Sequence, residues 1–198
     1  MQFTCGGIRV VFPAMPRLQR ADAFLVIIDV QLKLMPVISE REAVERNIER
    51  LVRGSKIVDI PSLLTEQYVQ GLGATVPIVR RAFEETSGYE PIEKSCFSGY
   101  GCAEFVTATR NLHRRQAIVA GVEAHVCVYQ TVSDLLANGY DVTIVADAIS
   151  SRTQANKDIA IRRMMSEGAR LSSTEMVLFE LTANSGTDEF REMSRLVK

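Results

Sequence analysis

Residues Ala23-Phe24-Leu25-Val26-Ile27-Ile28 form an unbroken apolar run that stops at Asp29. A run that is apolar at every position has no face to give to water. It fits a strand covered on both sides, as in parallel sheets flanked by helices. Related signals recur along the chain. Ile60 to Glu66, the short Pro91-Ile92-Glu93-Lys94, Gln116 to Gly121, Asp141 to Asp147 and Ala169 to Ser173 read as five further strands.

Helical patterns separate most of these runs. Ser39 with Glu42 three residues later has the spacing of a capping box, and Val44, Ile48, Leu51 and Val52 follow as an apolar stripe. The opposite face carries Arg41/Glu45, Glu42/Arg46 and Glu49/Arg53 at i,i+4, the spacing of solvated ion pairs. Gln67 to Thr75 reads as a loop containing Gly71 and Gly73. Cys102, Phe105, Val106, Thr109 and Leu112 stripe a helix after the third strand. His125 to Asn138 is helical with Gly139 as its stop, Thr153 to Glu167 ends at Gly168, and one or two helices close the chain, the last capped by Thr187. Strands alternating with helices imply an α/β fold, right-handed crossovers and a largely parallel sheet with helices on both faces. Residues 1–20 lack periodicity and read as an N-terminal arm, which leaves 21–198 as one domain.

The chain is 46% apolar and 24% charged, with a formal net charge of −1, so neither nucleic acid nor an anionic membrane is expected to attract it. No apolar run is long enough to cross a bilayer, and Val10-Val11-Phe12 is too short for a signal-peptide core; a cytoplasmic protein is expected. The four cysteines (Cys5, Cys96, Cys102, Cys127) do not form a disulfide framework, and two histidines, His113 and His125, cannot supply a His-rich metal site. No metal and no cofactor is expected.

In open α/β sheets, ligands bind beyond the carboxyl ends of the strands, near the point where strand order reverses. That rule selects Asp29, Glu66, Lys94, Glu123 to Cys127, and Asp147. Cys127 falls in the first turn of a helix, where N–H groups and the helix dipole lower a thiol pKa. Two readings stand for it, a buried small hydrophobe or a nucleophile. Asp29 and Lys94 at other strand ends match an activated thiol with a base and an orienting cation. His125 is the rival base, but side chains two apart on a helix do not face each other. Gly99-Tyr100-Gly101-Cys102-Ala103-Glu104 mimics a dinucleotide fingerprint, with Glu104 where the third glycine belongs.

Three segments carry a family resemblance: Ile27-Ile28-Asp29-Val30-Gln31, Glu93-Lys94-Ser95-Cys96-Phe97-Ser98, and Gly121-Val122-Glu123-Ala124-His125-Val126-Cys127-Val128. They resemble the signature segments of the isochorismatase-like cysteine hydrolases. Leu64 to Tyr68, Gly71 to Val76 and Val145 to Arg152 are similar to the isochorismatase domain-containing subgroup. The resemblance covers residues 20–198. It implies a three-layer α/β/α fold with a six-stranded parallel sheet of order 3-2-1-4-5-6, which sets Asp29 beside Cys127. It also implies a cis peptide at Val122–Glu123 that turns the N–H groups of Glu123 and Cys127 toward one oxyanion. Asp29 would take the thiol proton, Lys94 would stabilise the charges, and Cys127 would attack a carbonyl-type carbon.

Relatives that hydrolyse nicotinamide carry metal ligands after the second strand, where this chain has Glu66-Gln67-Tyr68-Val69-Gln70. Ala124 stands where many relatives have Thr. Members acting on isochorismate itself lack the cysteine, so keeping Cys127 implies amide-like C–N bonds. The expectation is a cofactor-free hydrolase of a small amide or carbamoyl-type substrate, working through a thioester as a homo-oligomer (dimer or tetramer). Gln31, Glu66, Gln67, Tyr68, Phe97 and His125 are expected to line its pocket. The alternative is a non-catalytic or thiol-sensing protein on the same fold.

Overall fold

The computed structural model describes residues 17–198 and, before them, the backbone of a short antiparallel pair, Phe3–Cys5 with Ile8–Val10. Half of the expected arm over residues 1–20 lies outside the described residues.

Six strands, β1 (Ala23–Ile28), β2 (Ser62–Gln67), β3 (Ile92–Lys94), β4 (Gln116–Val122), β5 (Asp141–Ser150) and β6 (Arg170–Ser172), form one sheet of order β3-β2-β1-β4-β5-β6. Every pairing in it is parallel. The order reverses between β1 and β4, so the chain crosses one face before that point and the other face after it.

The alternation within β1 shows how the layers are filled. Ala23, Leu25 and Ile27 enter one hydrophobic cluster, while Phe24, Val26 and Ile28 enter the other. The first cluster is completed by α1 (Arg41–Ile57), α3 (Pro77–Thr86), α7 (Thr174–Thr182) and α8 (Asp188–Val197) through Val44, Ile48, Phe83, Leu178 and Met193. The second is completed by α4 (Ala103–Asn111), α5 (Tyr129–Ala137) and α6 (Gln154–Ser166) through Phe105, Val132, Leu135 and Met164. The side chains from Phe24 to Ile28 are fully buried, each contributing about 1.5–3 kcal/mol relative to exposure.

Several local expectations change. The capping box is absent: Glu40, at φ 56°, is the N-cap of α1 and makes no side-chain cap. Ser39 is instead tied to the end of β5. Its N–H donates to the Ser151 carbonyl, its hydroxyl to the Arg152 carbonyl, and its own carbonyl accepts from the Ser150 hydroxyl. Helix α3 went unmarked in the sequence, although Pro77 at its start and the spacing of Val79, Ala82 and Phe83 are helical signals. The loop after β2 contains a single helical turn, α2 (Val69–Leu72). Strand β5 shifts register beyond Ile144 and runs on to Ser150, so Asp147 is not a strand end. Its carboxylate accepts from the N–H and hydroxyl of Thr174 at the start of α7.

The i,i+4 pairs on α1 form as the spacing predicts. Thr187 caps α8, accepting from the Phe190 N–H at 3.0 Å. Gly139 and Gly168 follow α5 and α6 at φ 80° and 113°, the left-handed region that glycine enters without a steric cost.

Candidate active site

Asp29 is the first residue past β1 and takes φ 52°, a left-handed conformation that aspartate tolerates better than most residues. Its N–H donates to the Thr65 carbonyl on β2 at 3.2 Å. The carboxylate is held from two sides. Thr65 donates its hydroxyl to Oδ1 at 2.7 Å, and Lys94 donates Nζ to Oδ2 at 2.6 Å. Both charged side chains are 0% exposed. A buried pair of this kind persists only when its remaining valences are satisfied. Lys94 meets that condition, since Nζ also lies within hydrogen-bond distance of Gln67 Oε1 (2.8 Å) and the carbonyls of Phe97 (3.1 Å) and Cys96 (3.3 Å).

The loop supplying those carbonyls is pinned to α5. Ser98 donates to Asp134 Oδ2 at 2.6 Å, and the Gly99 N–H donates to Thr131 Oγ1 at 2.8 Å. The glycines that mimic a nucleotide fingerprint therefore spend the Gly99 N–H inside the protein.

Cys127 approaches from β4. The Val122–Glu123 peptide is cis, and a π-helical turn over Ala124–Val128 leads into α5. Within that turn the Glu123 carbonyl accepts from the N–H groups of Val126 (3.0 Å) and Val128 (3.2 Å); neither bond uses the Cys127 N–H between them. The Cys127 carbonyl accepts from the Thr131 hydroxyl. Close approach of β4 to β1 depends on Gly121, at φ 122°: a Cβ there would lie 2.2 Å from the Ile28 carbonyl oxygen. That contact lies one residue before Asp29. Gly121 therefore lets the strands carrying Asp29 and Cys127 run side by side.

The thiol does not behave as its helix position predicts. Cys127 is only 6% exposed, and its pKa is pushed up to about 12. Burial is the largest cause and the Asp29 charge the second; Lys94 offsets part of both. Dehydration and a neighbouring anion both disfavour a thiolate, and here they outweigh the turn's dipole. At rest the thiol is neutral.

The structure sorts the expected pocket residues. Gln31 and Glu66 are buried, with their polar atoms taken up inside the protein. Gln31 Nε2 donates to the carbonyls of Gln67 (2.9 Å) and Gly73 (2.6 Å), while its Oε1 accepts from the Gln67 N–H (2.7 Å). Glu66 accepts from the Thr75 N–H, the Thr75 hydroxyl and the Tyr89 hydroxyl, tying down the loop after β2. Both side chains are occupied because a buried polar group must be satisfied internally. Gln67 joins Lys94 to the Ser95 carbonyl.

Tyr68 and Phe97 are 61% and 54% exposed, so each has free apolar surface. Tyr68 lines a cavity of about 320 Å³ together with Val69, Gln70, Glu93, Lys94 and Ser95. His125 Nδ1 lies 3.0 Å from Ser151 Oγ, and the Glu123 carboxylate pairs with Arg152 at 2.7 Å. Thr65 and Gly121 were missed in the sequence. Both lie in segments that carry the family resemblance, but a strand threonine has no distinguishing local signal, and the need for a glycine at 121 shows only with β1 beside it. Among the described residues no three His, Cys, Asp or Glu side chains gather as a metal site.

Residues 23–176 match the Isochorismatase domain family model. The chain belongs to the isochorismatase family. Isochorismatase domain-containing protein 2 of Bos taurus is 34% identical over 186 residues, 94% of this chain and 88% of the relative. This isochorismatase-family chain also superposes on the MAR1 ribonuclease from Caenorhabditis elegans, with a TM-score of 0.84 and 33% identity over 92% of each chain. The YcaC gene product of Escherichia coli, an octameric hydrolase of unknown specificity, shares the fold at a TM-score of 0.85 and 24% identity, over 93% of this chain and 92% of its own. Family and fold together support a hydrolase role. No helix among the described residues is long and apolar enough to cross a membrane.

Proposed function

We propose that the protein is a cysteine hydrolase acting on a small amide or carbamoyl-type C–N bond through a covalent thioester. One observation carries the reading: a buried carboxylate, Asp29, is held by Lys94 and Thr65 close enough to the Cys127 thiol for its charge to raise the thiol pKa. Because that thiol is neutral at rest, the carboxylate has to take its proton as the sulfur attacks. Lys94 sets a buried cation against Asp29.

Attack forms the Cys127 Sγ–carbon bond and moves the carbonyl π electrons onto oxygen. The N–H groups of Glu123 and Cys127 are assigned to that oxyanion. Collapse of the tetrahedral intermediate expels the amine, which takes the proton from Asp29. Water then attacks the thioester, giving its proton to Asp29, which returns it to the departing sulfur. His125 is assigned no proton transfer in these steps; its Nδ1 lies 3.0 Å from Ser151 Oγ.

A screen of small primary amides, ureas and carbamates for ammonia release tests the reading. Wild type is expected to release ammonia, with Cys127→Ala and Asp29→Asn inactive. Activity that survives both substitutions rejects the assignment, and a thiol that alkylates readily in a protein with no turnover favours a thiol-sensing role. The screen includes a short RNA, because the C. elegans neighbour is named a ribonuclease. A net charge of −1 gives no general attraction to a polyanion. A cytoplasmic homo-oligomer acting on small molecules completes the proposal, its size to be read by light scattering.

A further inference from the structure

We infer that Thr65 is the positioning residue that fixes Asp29 as a base; the inference rests on the proton-transfer role proposed for Asp29. Lys94 shares the hold on the carboxylate but is committed to other acceptors as well. Its ammonium has three N–H bonds and four acceptors around it, on Asp29, Gln67, Cys96 and Phe97, so it is saturated by the protein. It supplies charge but has no donor free to follow the carboxylate or to reach a substrate.

Thr65 grips Asp29 at two points. Its carbonyl accepts the Asp29 N–H (3.2 Å), and its hydroxyl donates to Oδ1 (2.7 Å), while Lys94 holds the other oxygen. Donors on separate oxygens fix the plane of the carboxyl group, so the thiol must meet a remaining lone pair. Thr65 is itself fully buried on β2, and water cannot replace its hydroxyl. A hydrogen bond to the charged form favours that form; it weakens when Asp29 takes the thiol proton and is restored when the proton leaves. The hydroxyl thus keeps the base in the orientation that receives the thiol proton.

Iodoacetamide is the probe, so no natural substrate is required. The alkylation rate of the Cys127 peptide is followed by mass spectrometry between about pH 4 and pH 9, within the range where carboxylates can titrate but a thiol raised to about 12 cannot. Wild type is expected to show a plateau over this range, because alkylation needs the base rather than hydroxide. In Thr65→Val the plateau rate should fall roughly tenfold, with Thr65→Ser restoring it. Thr65→Ala is the second variant if the valine variant does not unfold cooperatively. A plateau rate unchanged in these variants, or one that Ser does not restore, overturns the assignment of Thr65. A wild-type rate that climbs tenfold per pH unit with no plateau overturns the role of Asp29 as base, and the inference about Thr65 with it.

Discussion

Replacing Lys94 by Met removes the ammonium and keeps an unbranched apolar stem of similar length. Asp29 is then left buried with the Thr65 hydroxyl donating to it, having lost its contact at 2.6 Å. Breaking a buried pair by deleting one partner costs about 3–5 kcal/mol, because the remaining charge stays dehydrated. The carbonyls of Cys96 and Phe97 and the Gln67 amide lose a donor as well, which favours the upper half of that range. With a urea slope of about 2 kcal/mol per molar, the midpoint should fall by roughly 2–2.5 M. Circular dichroism through a urea titration measures it. The double variant Lys94→Met with Asp29→Asn should regain at least half of the loss, since the unpaired charge has gone. A single variant costing under about 1 kcal/mol, as a solvated surface pair would, refutes the claim that the pair is dehydrated.

Three other outcomes follow from particular contacts. The folded chain keeps the Cys127 proton up to about pH 12, whereas an unfolded thiol releases it near 9.0, so stability due to this group is complete below pH 9 and lost as pH rises toward 12. The difference between the wild-type and Cys127→Ala stability curves, measured by denaturant titration, should show that loss. Gly121→Ala drives a methyl into the Ile28 carbonyl and should cost about 3 kcal/mol or more, seen as a lowered Tm, with hydrolytic activity falling further because β1 and β4 carry the site. Glu66→Ala frees the Thr75 N–H and hydroxyl and the Tyr89 hydroxyl, at about 2–4 kcal/mol; hydrogen exchange should show faster opening at Thr75 than in the sheet.

Much of the fold was legible because its signals are local. An apolar run such as Ala23 to Ile28 declares a strand buried on both faces whatever else the chain does, and Gly139 and Gly168 end helices through backbone stereochemistry alone. The sheet order and the placing of Asp29 near Cys127 came from matching whole segments to a family, since strand pairing leaves little trace in any single segment. Signals read too locally failed. Ser39 had the spacing of a capping box, but neighbours at Ser150, Ser151 and Arg152, more than a hundred residues away, bound it first. Asp147 looked like a strand end until the register shift in β5 carried the strand past it.

The nucleophile shows the same division. Sequence placed Cys127 at the start of a helix, from which a lowered thiol pKa follows. The fold buries it against a carboxylate, and the balance reverses, because dehydration and charge repulsion act through space at short range. By itself the sequence determined the six strands and most of the helices, with glycine ending two of them. Only the tertiary structure decided that Thr65 holds Asp29, that four acceptors saturate Lys94, and that Gly121 lets two strands approach closely enough to share a site. Each of those depends on distances between residues far apart in the chain, which packing sets and local pattern does not.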